Sequence, residues 1–388
     1  MRKSTTGPSI PATAEGRCRP VIGGAGRLVA AVGLLLAAAG PARAVDIDPL
    51  RPITRIALGS CIRQDRPQPI WEAITRYDPD VFLLLGDNIY GDTRDMVVLR
   101  AKYATLAANG GFAALRRTTP IVAVWDDHDF GADDAGSEYP MRRGSQEAFL
   151  DFFGIPADAP LRTQEGIYRT VTAGPPGRRV QFICLDTRYH RSPLARLAPG
   201  QRQPGGGPYR PTDDPAATVL GAEQRAWFAR ALREPAEVRI VMSSIQFAFT
   251  GHHWEHWGNF PAERARVLRL IRESGAGGVM FVSGDRHAAE ISRIPAGPEA
   301  AGYPLYDLTA SSLNQPLPAG MSRDPNPLRL GPHQREVNFG TIDIEWLEGA
   351  GPEPAGATIT LGIRDLAGAI VHAERFRLAD LAPATATP

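Results

Sequence analysis

The chain has 388 residues, with 43 Lys+Arg against 42 Asp+Glu. That length gives ample core for one large α/β domain or two smaller ones, and the near-zero net charge argues against a nucleic-acid coat or a polybasic membrane binder. Lysine occurs only at Lys3 and Lys102, which argues against a lysine nucleophile or Schiff base.

Residues 1–44 read as a secretory signal. Arg17, Arg19 and Arg27 precede the apolar run Leu28 to Ala39, and Ala42-Arg43-Ala44 supplies a small-residue cleavage site. The run is shorter than the ~20 residues a membrane span needs, so no stable anchor is expected after cleavage. Removing the segment takes away six basic residues and one acidic one, leaves a net charge of −4, and directs the mature chain to the periplasm or the medium. Cys61 and Cys184 stay in the mature chain. Two cysteines in an oxidising compartment default to one disulfide. Cys184, however, lies inside an apolar strand pattern and Cys61 just past a strand end, which favours two free thiols.

In chain order, Thr54 to Cys61 reads as a first strand ending in a small-residue turn, and Pro69 to Tyr77 as a short helix. Val81 to Leu85 is apolar throughout and ends abruptly in Gly86-Asp87, the pattern of a strand buried on both faces. Its carboxylate falls just past the strand's carboxyl end, where open α/β sheets hold their ligands. Residues 94–117 carry helical periodicity. Pro120 to Trp125 is a third strand, followed at once by Asp126-Asp127-His128-Asp129. A helix over 142–153 and a strand from Arg179 to Leu185 come next. The Pro-, Gly- and Arg-rich stretch 190–217 predicts a long irregular cover over a site. Gly221 to Arg233 is a helix and Val238 to Met242 a strand. A second irregular segment, His252 to Phe260, precedes a helix from Pro261 to Ser274. Val279 to Val282 is a strand ending in Ser283-Gly284-Asp285-Arg286-His287.

This alternation predicts a largely parallel layered sheet. Beyond residue 302 the strands Tyr303–Leu308, Phe339–Leu347, Ala357–Ile363 and Ala369–Arg377 follow one another without long helices, and are expected to form a second sheet packed on the first. The folded domain is expected to run from 45 to 380, with a short tail over 381–388.

Four strand ends carry ligand-type residues: Cys61, Asp87 with Tyr90, Asp126 to Asp129, and Asp285 with His287. Neighbouring strands lie ~4.8 Å apart, so their ends converge to coordination range. Carboxylates gathered there without cations would repel one another, and bound metal resolves that repulsion. Thiolate, phenolate and imidazole from Cys61, Tyr90 and His287 suit a transition metal such as iron. The oxygens of Asp87, Asp127 and Asp285 suit a hard ion such as calcium, magnesium or manganese, with Asp87 bridging the two. Two such metals generate a hydroxide and clamp a phosphoryl group.

The motifs GSC at Gly59, GDNIY at Gly86, WDDHDFGADDAG at Trp125, LDTRY at Leu185, SSIQF at Ser243, WGNFP at Trp257 and SGDRH at Ser283 resemble those of PhoD-type alkaline phosphatases, within the calcineurin-like metallophosphatases. The resemblance runs from Ile53 to about Asn314. It implies an α/β/β/α sandwich of two packed sheets, and a phosphate-ester hydrolase with iron (Fe3+) held partly by Cys61 and Tyr90 and calcium alongside. GSC stands where the wider superfamily has Asp-x-His, and Gly284-Asp285-Arg286-His287 where it has Gly-His-x-His. On this mapping His128 is not a ligand. It stabilises the transition state or protonates the leaving oxygen, with Asp129 orienting it. Arg63 is a candidate phosphate contact. Asn88, Asp126, Gln246 and Asn259 are candidate pocket residues, while strand alternation turns Arg286 away. Tyr168 and Asp186-Thr187-Arg188 read as core and turn. His252, His253 and His256, interleaved with Trp254 and Trp257, read as an aromatic cover rather than a second metal site. A phosphodiesterase or phospholipase acting on lipid or cell-wall polymer, and a non-catalytic metal- or phosphate-binding protein, are the rival readings.

Overall fold

The computed structural model describes residues 46–201, 207–297, 300–318, 325–347 and 356–383. The expected signal segment, part of the first cover and the end of the tail lie outside the described residues. In chain order the elements are β1 (Arg55–Gly59), α1 (Ile70–Tyr77), β2 (Val81–Leu85), α2 (Met96–Ala107), α3 (Gly110–Thr118), β3 (Ile121–Val124), α4 (Asp127–Phe130), α5 (Arg142–Phe152), β4 (Arg169–Ala173) and β5 (Val180–Cys184). There follow α6 (Gly221–Ala231), β6 (Val238–Met242), α7 (Pro261–Ser274), β7 (Val279–Ser283), β8 (Ala289–Ile294), β9 (Leu305–Ala310), β10 (Arg329–Gln334), β11 (Asn338–Trp346), β12 (Ala357–Asp365) and β13 (Ile370–Arg377).

Two mixed sheets result, with orders β13-β12-β11-β1-β2-β3 and β10-β8-β9-β7-β6-β5-β4. Strands β1, β2 and β3 are parallel, as are β5, β6, β7 and β9; the outer strands add antiparallel. One apolar core runs through both sheets and the helices against them. The strands that read as continuous apolar runs are buried along their length: β2, β5, β6 and β7 at every position. Each large side chain so buried stabilises the fold by about 1.5–3 kcal/mol.

The expected pair of packed sheets is present, but its membership differs. The late strands do not form a sheet of their own: β11, β12 and β13 extend the first sheet through β1, while β9 and β10 join the second. The early βα units also divide, β1–β3 into one sheet and β5–β7 into the other. Apolar periodicity reports burial, and both sheets bury the same kind of surface. The helix expected over 94–117 is two helices, because Asn109 accepts the Phe112 N–H with its side chain and starts α3 anew. The short strands β4, β8 and β10 are additional to those expected. β4 and β10 are partly exposed and lack an apolar run. Cys61 and Cys184 are both buried free thiols. Among the described residues, no helix is long and apolar enough to cross a membrane.

Candidate active site

The carboxyl ends of β1, β2 and β3 meet that of β7 from the facing sheet. The approach is close enough to demand glycine. A Cβ on Gly284 would lie 2.5 Å from Ser60 Oγ and 3.1 Å from the Leu85 carbonyl oxygen. Gly86 has φ +97°, and a Cβ there would sit 2.4 Å from that of Asp126. Ligand-type residues occupy the turns themselves. Cys61, Asp87, Asp285 and His287 all have positive φ, from 50° to 66°, a region that non-glycine residues occupy rarely and at a cost.

Three overlapping groups bring donor atoms within 4.8 Å of one another: Cys61, Asp87 and His287; Asp87, Asp127 and His128; and Asp126, Asp127 and Asp285. Asp87 joins the first two and Asp127 the last two. Cys61 Sγ donates to Asp87 Oδ2 at 3.3 Å and lies 3.1 Å from Ser311 Oγ. Tyr90 Oη and His287 Nε2 are 3.0 Å apart. Asp127 Oδ1 accepts from the His128 N–H at 2.8 Å and Oδ2 from the Asp134 N–H at 2.6 Å.

The electrostatics fit a cation. Burial pushes the Cys61 thiol up to about 12, Asp285 up to about 7, and Asp87 and Tyr90 well above their ordinary values. Burial also brings His287 down to about 4, which leaves its imidazole neutral and able to donate a lone pair. Burial opposes charge on His128 too, yet the carboxylates of Asp127, Asp87 and Asp92 hold it up at about 11. Asp87 Oδ1 and Asp126 Oδ2 are buried without a hydrogen-bond partner. Buried polar atoms are normally satisfied, and these two point to ions as the missing partners.

A cavity of about 290 Å³ opens over this basin, lined by Asp87, Asp127, His128, Asp133, Asp134, Trp254, Glu255, Asp285, Arg286, His287, Leu317 and Pro318. Trp254 brings the expected aromatic cover to its wall. His252 and His256 instead bond to Gln246 Oε1 and Asn259 Oδ1, at 3.1 and 2.9 Å. Gln246 is further tied to Glu290 and Thr309. Gln246 and Asn259 therefore build the support of the cover and do not line the cavity. Arg63 does not line it either: its guanidinium lies 5.0 Å from the centre of the Tyr90 ring and pairs with Asp65.

Asp129 does not orient His128. Its oxygens accept from the Asp126 N–H at 2.6 Å and from Asn88 Nδ2 at 2.5 Å, locking the β2 and β3 turns together. Asp129 sits one helical position beyond His128 in α4 and faces inward. The partner of His128 is Asp92, whose Oδ1 lies 2.7 Å from Nδ1, and the imidazole packs against the Tyr90 ring, tilted by 34° with centroids 4.2 Å apart. Arg286 does reach the cavity. Strand alternation fails there because Asp285 and His287 are left-handed, so the chain has already left β7. Ser311 and Glu255 join the site without a signal in the sequence. Ser311 belongs to the turn after β9, with no charge to mark it, and Glu255 is a single acid inside an aromatic segment.

Two packed mixed sheets flanked by helices, with a buried ligand basin where their central strands end, are a metallophosphatase-like fold. A solved structure described as PhoD matches with a TM-score of 0.63 at 18% identity, over 85% of this chain and 73% of that one. A purple acid phosphatase from yellow lupin seeds matches with a TM-score of 0.55 at 11% identity, over 88% of this chain and 58% of the other. Alkaline phosphatase D of Bacillus subtilis is 25% identical over 249 residues, which are 57% of this chain and 41% of that protein. The chain thus spans less than half of that relative's length. A family model described as PhoD-like phosphatase matches residues 57–326. The chain belongs to the PhoD-like phosphatase family.

Proposed function

We propose that the protein is an exported, metal-dependent phosphoesterase that hydrolyses phosphate monoesters. The observation that carries this reading is the set of overlapping ligand groups around Asp87 and Asp127, both of which line a small cavity, with two buried carboxylate oxygens in those groups lacking partners. Cys61, Tyr90, His287 and Asp87 would hold a transition metal such as iron, suited to their mixed thiolate, phenolate, imidazole and carboxylate donors; Asp87, Asp127 and Asp285 would hold a hard ion such as calcium. When bound, such a pair supplies an activated water and neutralises charge on the phosphoryl oxygens.

The chain's own residues do the rest. Asp92 fixes the Nδ1 side of His128, so Nε2 is the nitrogen left to give a proton to the departing alkoxide. Arg286 at the cavity wall offers a guanidinium to the phosphate. Trp254, Leu317 and Pro318 flank the leaving group and exclude water. A cavity of about 290 Å³ suits a monoester better than a polymer threaded through a groove.

Purified protein assayed with a nitrophenyl monoester and a bis-nitrophenyl diester, before and after chelation, tests this. Monoester turnover that chelator abolishes and metal restores is expected. Turnover indifferent to chelator, or none with metals loaded, would refute it.

A further inference from the structure

Between the basin and its cover lies a fully buried chain of charges that the proposed chemistry does not use. Arg188 is 0% exposed, although it begins a loop. Its Nε donates to Asp126 Oδ1 at 2.7 Å, and its Nη2 contacts the same oxygen. Ser244 Oγ donates to that oxygen as well, at 2.5 Å. On the other side Arg188 Nη1 reaches Glu255 Oε2 at 2.5 Å. Arg191, equally buried, lies 2.9 Å from Glu255 Oε1 through its Nε.

The asymmetry of Asp126 is informative. Oδ1 is saturated by a guanidinium and a hydroxyl, whereas Oδ2 is buried and has no partner. A carboxylate oxygen of Asp126 lies within 4.8 Å of oxygens from Asp127 and Asp285. A buried arginine fork that grips one oxygen fixes the rotation of the whole carboxylate. Glu255 adjoins Trp254, and both line the cavity. The same guanidinium therefore ties the oxygen-rich basin to the wall above it.

We infer that Arg188 is a positioning residue for the hard-ion site: it clamps Asp126 Oδ1 so that Oδ2 is presented to the cation beside Asp127 and Asp285. The inference rests on the metal-dependent reading above. Groups that orient metal-site carboxylates typically contribute 10–100-fold in metal affinity.

The test is calcium binding to the metal-stripped full-length protein by isothermal titration, with no substrate present. Wild type must bind calcium, or magnesium or manganese in its place, in which case that ion is titrated throughout; if it binds none of the three, the metal reading itself fails. Arg188→Lys keeps the charge and loses the fork, and should bind calcium ~10–100-fold more weakly while circular dichroism stays native. Ser244→Ala withdraws the other donor from the same oxygen, along with its contact to Thr187 Oγ1, while leaving the guanidinium in place, and should weaken binding by a smaller factor. Iron retained by either variant should match wild type, because the Cys61 side of the basin is not gripped by Arg188. Wild-type calcium affinity in folded Arg188→Lys overturns the inference. If that variant does not fold, wild-type affinity in Ser244→Ala overturns it. Equal loss of iron and calcium also overturns it, since that marks general damage rather than the orientation of one carboxylate.

Discussion

Truncating His128 to alanine separates an acid from a ligand. The imidazole is held by two contacts and is largely buried: Nδ1 lies 2.7 Å from Asp92 Oδ1, the ring packs tilted against Tyr90 with centroids 4.2 Å apart, and only 18% of the side chain is exposed. So fixed a ring behaves as a positioned acid, worth roughly 10²–10⁴ in rate, or about 2.7–5.4 kcal/mol at 1.36 kcal/mol per decade. That full loss is expected in kcat for an alkyl phosphate, whose leaving oxygen needs a proton. Nitrophenyl phosphate, with a stable leaving anion, should lose much less. The assay is phosphate release from both esters, with metal content measured on the same preparations. Equal losses on both esters would refute the leaving-group role. His128 also falls in a ligand group with Asp87 and Asp127. Loss of metal from His128→Ala would therefore make it a ligand and overturn its assignment as acid.

Cys61→Ser should lose iron and most activity, while Cys184→Ser, whose thiol lies 3.8 Å from the Met242 sulfur in the core, should keep both; equal loss in the two variants would refute the assignment. Tyr90→Phe should abolish any visible phenolate-to-iron band in the holoenzyme while thermal unfolding stays cooperative; a band that persists would exclude Tyr90 as ligand. Metal affinity should weaken as pH falls below about 7. Burial raises Asp285 to about that value in the metal-free protein, so at lower pH a proton occupies the site the cation needs. Equilibrium dialysis across pH 5–8 checks the sign, and tighter binding at pH 5 would contradict it. Asp92→Asn keeps a hydrogen-bonding group beside His128 but removes its charge, and should cost alkyl phosphate turnover ~10-fold or less, below the loss in His128→Ala.

The candidate ligands are legible in the sequence because each follows an apolar run and ends it. Val81 to Leu85 is too short for a helix of its own and apolar at every position, so it reads as a buried strand and puts Asp87 at its carboxyl end. The same logic locates Asp127 and Asp285. It misplaces Arg286, because period-two alternation holds only while the backbone stays extended, and left-handed turns leave no trace in side-chain polarity. It also gives Asp129 the task that Asp92 performs: Asp129 is close to His128 in sequence, whereas the loop that returns Asp92 to the imidazole is a matter of tertiary folding. The division of strands between sheets escapes for a related reason. Pairing partners are chosen by register and crossover, and β1 finds β11 nearly three hundred residues away through contacts no local pattern encodes.

The ligand basin draws on both sheets, and so on both ends of the biosynthetic order. Cys61, Asp87 and Asp127 emerge early, on strands that complete their sheet only when β11 arrives to flank β1. Asp285 and His287 emerge late, at the end of the central strand of the other sheet. A nascent fragment that lacks β7 carries the Asp87, Asp127 and His128 group but neither Asp285 nor His287, so it would offer an incomplete ligand set. The full set of candidate ligands would come together only when the sheets close on one another. A metal loaded at that stage would come from the surroundings in which folding ends, and for a chain exported unfolded those lie outside the cytoplasm.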